Sequence, residues 1–220
     1  VRPKPLIMDE WGYASMVKDE QSPQEADRVV ELSSIQEAVE KHDSFVLVGD
    51  PGAGKTTTIR RLARLVAQDR LENPRLHPLP LIAYLPQWYL DQEIEDFIRD
   101  QWRNQSPLNI DPIPLIASGQ LKLYLDGLNE MGEGTEEKMQ RLKQWLHTDP
   151  IPRHVIVTCR IEDYDDQLDL PVVVIRELEP QQVRAFARNY LEEKADEFLS
   201  KVYPADRAEA ADSHLSHLVR

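Results

Sequence analysis

Phe45-Val46-Leu47-Val48 is an apolar run of β type, and Gly49-Asp50-Pro51-Gly52-Ala53-Gly54-Lys55-Thr56-Thr57 follows it directly. The pattern is G-x-x-x-x-G-K-T, and a helix-forming segment continues from it. Glycines let backbone wrap closely around phosphate oxygens. Successive N–H groups, backed by the positive end of the following helix, then point at the anion. In this pattern Lys55 reaches the β- and γ-phosphates and the Thr56 hydroxyl ligates Mg²⁺. With Gly near 7% of average composition, the four fixed positions match by chance at roughly 10⁻⁵ to 10⁻⁴ per site. The strand before and the helix after lower that further, so nucleotide binding is the expectation.

A second constellation lies at Leu121-Lys122-Leu123-Tyr124-Leu125-Asp126-Gly127-Leu128-Asn129-Glu130-Met131. An apolar strand here ends in a carboxylate, at the strand end where open α/β sheets bind ligands. Asp126 can hold Mg²⁺ there, directly or through water. Gly127 permits a sharp exit. Glu130, four residues on, can orient the water attacking a γ-phosphate or take its proton. Val155-Ile156-Val157-Thr158-Cys159-Arg160 is a third apolar strand with a cationic tip. A guanidinium at that place can register a γ-phosphate and stabilise transferring charge.

Other chemistry-bearing residues read as structural. Cys159 is expected to pack rather than attack, with no His partner suggested. The six histidines do not form H-x-x-x-H. His214 and His217, at i and i+3, make only a weak two-ligand idea. Tyr84, Trp88 and Tyr89 lack the basic interleaving of a base-stacking platform, so they are expected to pack around the second strand.

The elements that must position these groups alternate. Val29–Lys41 reads as an amphipathic helix, 44–48 as the first strand and 54–69 as the P-loop helix, with Ile59, Leu62, Ala63 and Val66 on one face. Strands follow at 80–85, 121–125, 154–158 and 172–175. Helices are expected at 90–102, with Ile94, Phe97 and Ile98 inward, at 110–117, and at 135–146 with Thr135 as N-cap. From Pro180 the chain reads as helical, broken near Pro204. Alternating strands and helices predict a parallel sheet with helices on both faces.

The chain has 220 residues and a formal net charge of -13. That length fits one α/β domain or a core with a small helical appendage. The acidic balance argues against non-specific nucleic-acid binding, which needs phosphate neutralisation. A single cysteine excludes an internal disulfide and suits a reducing cytoplasm. No apolar run approaches the roughly 20 residues of a membrane span. The first ten residues are not a signal peptide, and the initial Val suggests an excised piece of a longer protein.

Together the G-D-P-G-A-G-K-T-T loop, the D-G-L-N-E of Asp126–Glu130 and the T-C-R tip of Thr158–Arg160 resemble the NACHT NTPases of the STAND class. That family includes NOD-like receptors and bacterial antiphage sensors. The later L-E-P-Q-Q-V-R-A-F-A-R-N-Y-L resembles the start of the small helical domain behind a NACHT core. The resemblance covers roughly residues 29 to 192. It implies a P-loop fold of the additional-strand class, a five-stranded parallel sheet ordered 5-1-4-3-2. It divides the chain into an extension or linker (1–28), a nucleotide-binding core (29–178) and the beginning of a helical domain (179–220). It implies that Gly49 to Thr57 hold the nucleotide, that Thr56 and Asp126 hold Mg²⁺, and that Glu130, Asn129, Lys55 and Arg160 serve hydrolysis, Arg160 as the sensor arginine. The ligands implied are ATP and ADP. The implied partners are other domains of the same protein and a homo-oligomer on activation, in the cytoplasm, with no nucleic acid or membrane.

Two departures from the family pattern stand out. Asn129 occupies a position that is usually acidic, which implies slow, switch-like turnover. A base-contacting proline and a winged helix are not recognisable after the helical segment, Pro204 being too early. The alternatives are a remodelling ATPase of the AAA type, which would need lid and finger arginines where only Arg184 and Arg188 offer themselves, and a non-catalytic scaffold around a bound nucleotide.

Overall fold

In chain order the elements are β1 (Val17–Glu20), β2 (Val30–Leu32), α1 (Ile35–Lys41), β3 (Phe45–Gly49), α2 (Lys55–Glu72) and β4 (Leu79–Tyr84). They continue with α3 (Ile94–Gln105), α4 (Pro112–Ala117), β5 (Leu121–Asp126), α5 (Thr135–Leu146), β6 (Val155–Arg160), β7 (Val172–Ile175) and α6 (Ala195–Val202). The computed structural model describes residues 17–20, 30–32, 35–176, 183–184, 187–188 and 194–202.

One sheet carries β1 to β7 in the order β2-β1-β7-β3-β6-β5-β4. Its five strands from β7 to β4 are parallel, which is the expected order 5-1-4-3-2. β1 pairs antiparallel with β7, Val17 facing Ile175 and Glu20 facing Val172, and β2 pairs antiparallel with β1. These two strands were not expected. Residues 30–32 were read as the start of a helix and are instead a strand; the helix begins at Ile35.

Both faces of the parallel strands are buried, which is why they read as continuous apolar runs. Alternate side chains serve two cores. Val46, Val48, Ala83, Leu123, Leu125, Val155 and Val157 pack with α3, α4 and α5. Phe45, Leu47, Tyr124, Ile156 and Val173 pack with α1 and α2, whose buried face includes Ile59, Leu62 and Ala63. Ile94, Phe97 and Ile98 point inward from α3 as expected, joined by Trp102. The cap of α5 differs from expectation. Gly134, in the left-handed region at φ 71°, is the N-cap, and the Thr135 hydroxyl donates to the carbonyl of Gly132 at 2.5 Å.

Residues 16–177 form one compact unit; residues 1–15 and 178–220 form another. Of the second unit, α6 and the helical positions 183–184 and 187–188 are described. His214, His217, Pro204 and most of the expected C-terminal helical segment lie outside the described residues. No described helix is long and apolar enough to cross a membrane.

Candidate active site

Parallel register brings three strand ends level. Gly49 of β3 pairs with Arg160 of β6, Leu47 with Thr158, and Leu125 of β5 with Val157. The P-loop, the Asp126 carboxylate and the Arg160 guanidinium therefore open into one cleft of about 390 Å³ at the carboxyl ends of the strands.

The loop leaves β3 through Asp50, whose carbonyl accepts the Ala53 N–H at 3.1 Å. Gly52 and Gly54 take φ values of 84° and 93°, in the left-handed region that a side chain disfavours. Gly54 is the N-cap of α2 and offers no side-chain acceptor, and the first-turn residues Lys55, Thr56 and Thr57 line the cleft, so their uncapped N–H groups can serve an anion there. Of the nine loop residues expected to hold nucleotide, Pro51, Gly52, Gly54, Lys55, Thr56 and Thr57 line the cleft. Gly49 has a packing reason as well: a Cβ there would stand 2.5 Å from Ile175 Cγ2 and 2.7 Å from the Ile175 carbonyl.

Lys55 Nζ donates to the carbonyls of Gly49 at 2.7 Å and Asp50 at 3.0 Å. Burial lowers its ammonium pKa, and the positive charge of Arg160 lowers it further. Two cations facing one cleft make an anion the natural occupant.

Asp126 is buried at the tip of β5. Its Oδ1 accepts from Thr56 Oγ1 at 3.2 Å and from Thr158 Oγ1 at 2.6 Å. Thr158 in turn accepts the Gly127 N–H at 2.9 Å. Gly127 exits the strand at φ 86°. The oxygens of Thr56 and Asp126 fit a hard cation: two ligands on one edge of a magnesium octahedron lie about 3 Å apart. Among the described residues no group of three or more His, Cys, Asp or Glu side chains stands ready to hold a metal by itself. A two-oxygen protein set completed by substrate phosphates and water is the usual magnesium arrangement.

Glu130 is exposed at the end of a short 3₁₀ turn. One of its oxygens lies 3.6 Å from the Arg160 guanidinium. Asn129 accepts the Arg160 backbone N–H on its side-chain oxygen at 3.2 Å. The cleft thus gathers Lys55, Thr56, Asp126, Asn129, Glu130 and Arg160. Thr158 also lines it and was not singled out as a site residue by the sequence. A lone threonine at the end of an apolar strand carries no spacing signal; the only hint was its place in the T-C-R tip.

Of the remaining candidates Cys159 and Trp88 pack as expected, whereas Tyr89 and Tyr84 do not. Cys159 is buried in the core, where burial pushes its thiol up to about 11. Trp88 is buried and stacks on Phe97, centroids 6.1 Å apart. Tyr89 is exposed, and Tyr84 lines the cleft with its hydroxyl 3.4 Å from Arg60.

A family model described as NACHT domain matches residues 43–194, a span that contains every residue of the cleft. No curated protein matches the chain.

Proposed function

The chain belongs to the NACHT domain family, a nucleotide-binding NTPase module, and from that premise we propose that it is an ATP-binding, slowly hydrolysing switch. Its nucleotide state controls conformation and oligomerisation of a larger STAND-type signalling or defence protein in the cytoplasm. The observation that carries this reading is the meeting of Thr56 and Asp126 at 3.2 Å beneath a cleft flanked by Lys55 and Arg160.

The residues divide the work. N–H groups of the loop and first turn of α2 cradle the phosphates. Lys55 exchanges its two carbonyl acceptors for phosphate oxygens. Thr56 and Asp126 would hold Mg²⁺, which when bound would offset charge on the phosphates. An arriving γ-phosphate competes with Glu130 for the Arg160 guanidinium, because a phosphate carries more charge than a carboxylate. Glu130 then accepts the proton of the attacking water, the bond from phosphorus to the bridging oxygen breaks, and ADP and inorganic phosphate leave. Asn129 contributes no charge, so turnover is slow. ATP over GTP follows from the absence of an N-K-x-D guanine-reading motif.

The test is Mg²⁺-dependent binding and phosphate release with ATP and with GTP. Lys55→Ala abolishes binding. Glu130→Gln keeps binding and loses turnover by roughly 10²- to 10⁴-fold, the usual contribution of a general base. In the presence of ATP, Glu130→Gln also forms larger assemblies by light scattering. Wild-type protein that binds neither nucleotide overturns the reading. A mass identical with and without ATP removes the oligomerisation part.

One observation favours a second reading. Asn129 braces the β6 tip with its side-chain oxygen and, being an amide, supplies no second acid. A scaffold around a permanently bound nucleotide would carry stoichiometric ADP that never exchanges and would release no phosphate.

A further inference from the structure

Thr158 is the one polar residue in the buried Val155–Cys159 stretch of β6, and it is 2% exposed. Valine has the same shape and a better strand propensity, so the hydroxyl needs a reason. Burying a hydroxyl costs free energy unless both its donor and acceptor capacities are used. Here both are. Thr158 Oγ1 donates to Asp126 Oδ1 at 2.6 Å and accepts the Gly127 N–H at 2.9 Å. It therefore grips the carboxylate and the backbone turn that follows it with one atom.

We infer that Thr158 is a positioning residue that fixes the Asp126 carboxylate for its metal, acting from β6 on β5. The inference rests on the nucleotide-and-magnesium reading of the cleft. Asp126 Oδ1 has two hydroxyl partners, Thr56 and Thr158. Thr56 is the one that a metal would claim. Thr158 then remains as the hydroxyl that holds the carboxylate in place. The same clasp ties the metal carboxylate to the strand that ends in Arg160, two residues on. A second link runs in parallel, from the Arg160 N–H to Asn129. The two links tie the tip of β6 to the Asp126 carboxylate and to the turn that follows it.

Mn²⁺ in place of Mg²⁺ gives a direct readout by paramagnetic resonance titration of the protein with ATP. Thr158→Val weakens Mn²⁺ binding in the nucleotide complex by roughly 10- to 100-fold, the usual loss when a metal ligand's hydrogen-bonding partner is removed. ATP affinity measured without metal stays unchanged, and Thr158→Ser restores metal affinity. A merely structural threonine would weaken both affinities together. Thr158→Val with wild-type Mn²⁺ affinity, or with equal losses in the presence and absence of metal, overturns the inference while the function of the cleft stands. Wild-type protein without Mn²⁺-dependent ATP binding overturns both. Should Thr158→Val not fold, Thr158→Ala against Thr158→Ser makes the same comparison.

Discussion

Asn129 and Cys159 show what single side chains decide. Asn129 keeps its oxygen on the Arg160 N–H at 3.2 Å, a bond that an aspartate oxygen would make equally well. Asn129→Asp therefore preserves the brace and adds an acid beside Glu130. We expect kcat to rise by roughly tenfold, a modest fraction of a full general-base contribution, with ATP affinity unchanged. A phosphate-release assay that finds kcat unaltered would remove Asn129 as the reason for the slow turnover proposed above. At Cys159, burial raises the thiol from 9.0 to about 11. At pH 8 it stays protonated and inaccessible, so a thiol reagent labels it only on unfolding. Because the folded thiol holds its proton more tightly than the unfolded one, its contribution to stability is complete below about pH 9 and is lost as pH rises toward about 11. Labelling of the native protein at the rate of a free thiol would contradict the burial. The loop lysine and threonine were legible because their spacing from two glycines is fixed by phosphate chemistry. Thr158 was not, because its partners lie 31 and 32 residues away and only the β5–β6 register joins them.

At the scale of elements, the glycines of the P-loop act for different reasons. Gly49→Ala would press a Cβ onto both the Ile175 side chain and its carbonyl. Trimming Ile175 to Ala relieves the first contact and not the second. We expect Gly49→Ala to destabilise by about 1–3 kcal/mol, as overpacking does, with little rescue in the double variant. Gly54→Ala meets open space but a φ of 93°. Its cost of about 1–2 kcal/mol is left-handed backbone strain, and it falls on the phosphate cradle, so ATP affinity drops more than melting temperature. Melting by circular dichroism with ATP titration separates the two; equal behaviour of both variants would refute the distinction. The five parallel strands and the helices α1 to α5, α1 only from Ile35 onward, were visible because burial on both faces and a 3.6-residue period both mark the sequence. β1 and β2 were invisible for the opposite reason. V-K-D-E and V-E-L carry no apolar run; β1 forms on the backbone edge of β7 and β2 on that of β1, tertiary partners that no local pattern announces.

Every group assigned to phosphate or metal, from Gly49 to Arg160, belongs to the compact unit of residues 16–177. Ligand that binds only the folded state stabilises that state by mass action, about 2.7 kcal/mol at a hundred times Kd. For a unit of this size each kcal/mol moves the midpoint by roughly 2–4 °C, so saturating Mg²⁺-ATP should raise its melting by about 5–11 °C. Calorimetry of the whole chain resolves whether one transition moves or more. We expect the transition of the 16–177 unit to rise, with no rise in Lys55→Ala and a smaller one when magnesium is chelated. A transition that rises equally in Lys55→Ala would mean that the ligand acts somewhere other than the P-loop cleft. No rise in the wild type would leave the cleft without its ligand and the switch without its signal.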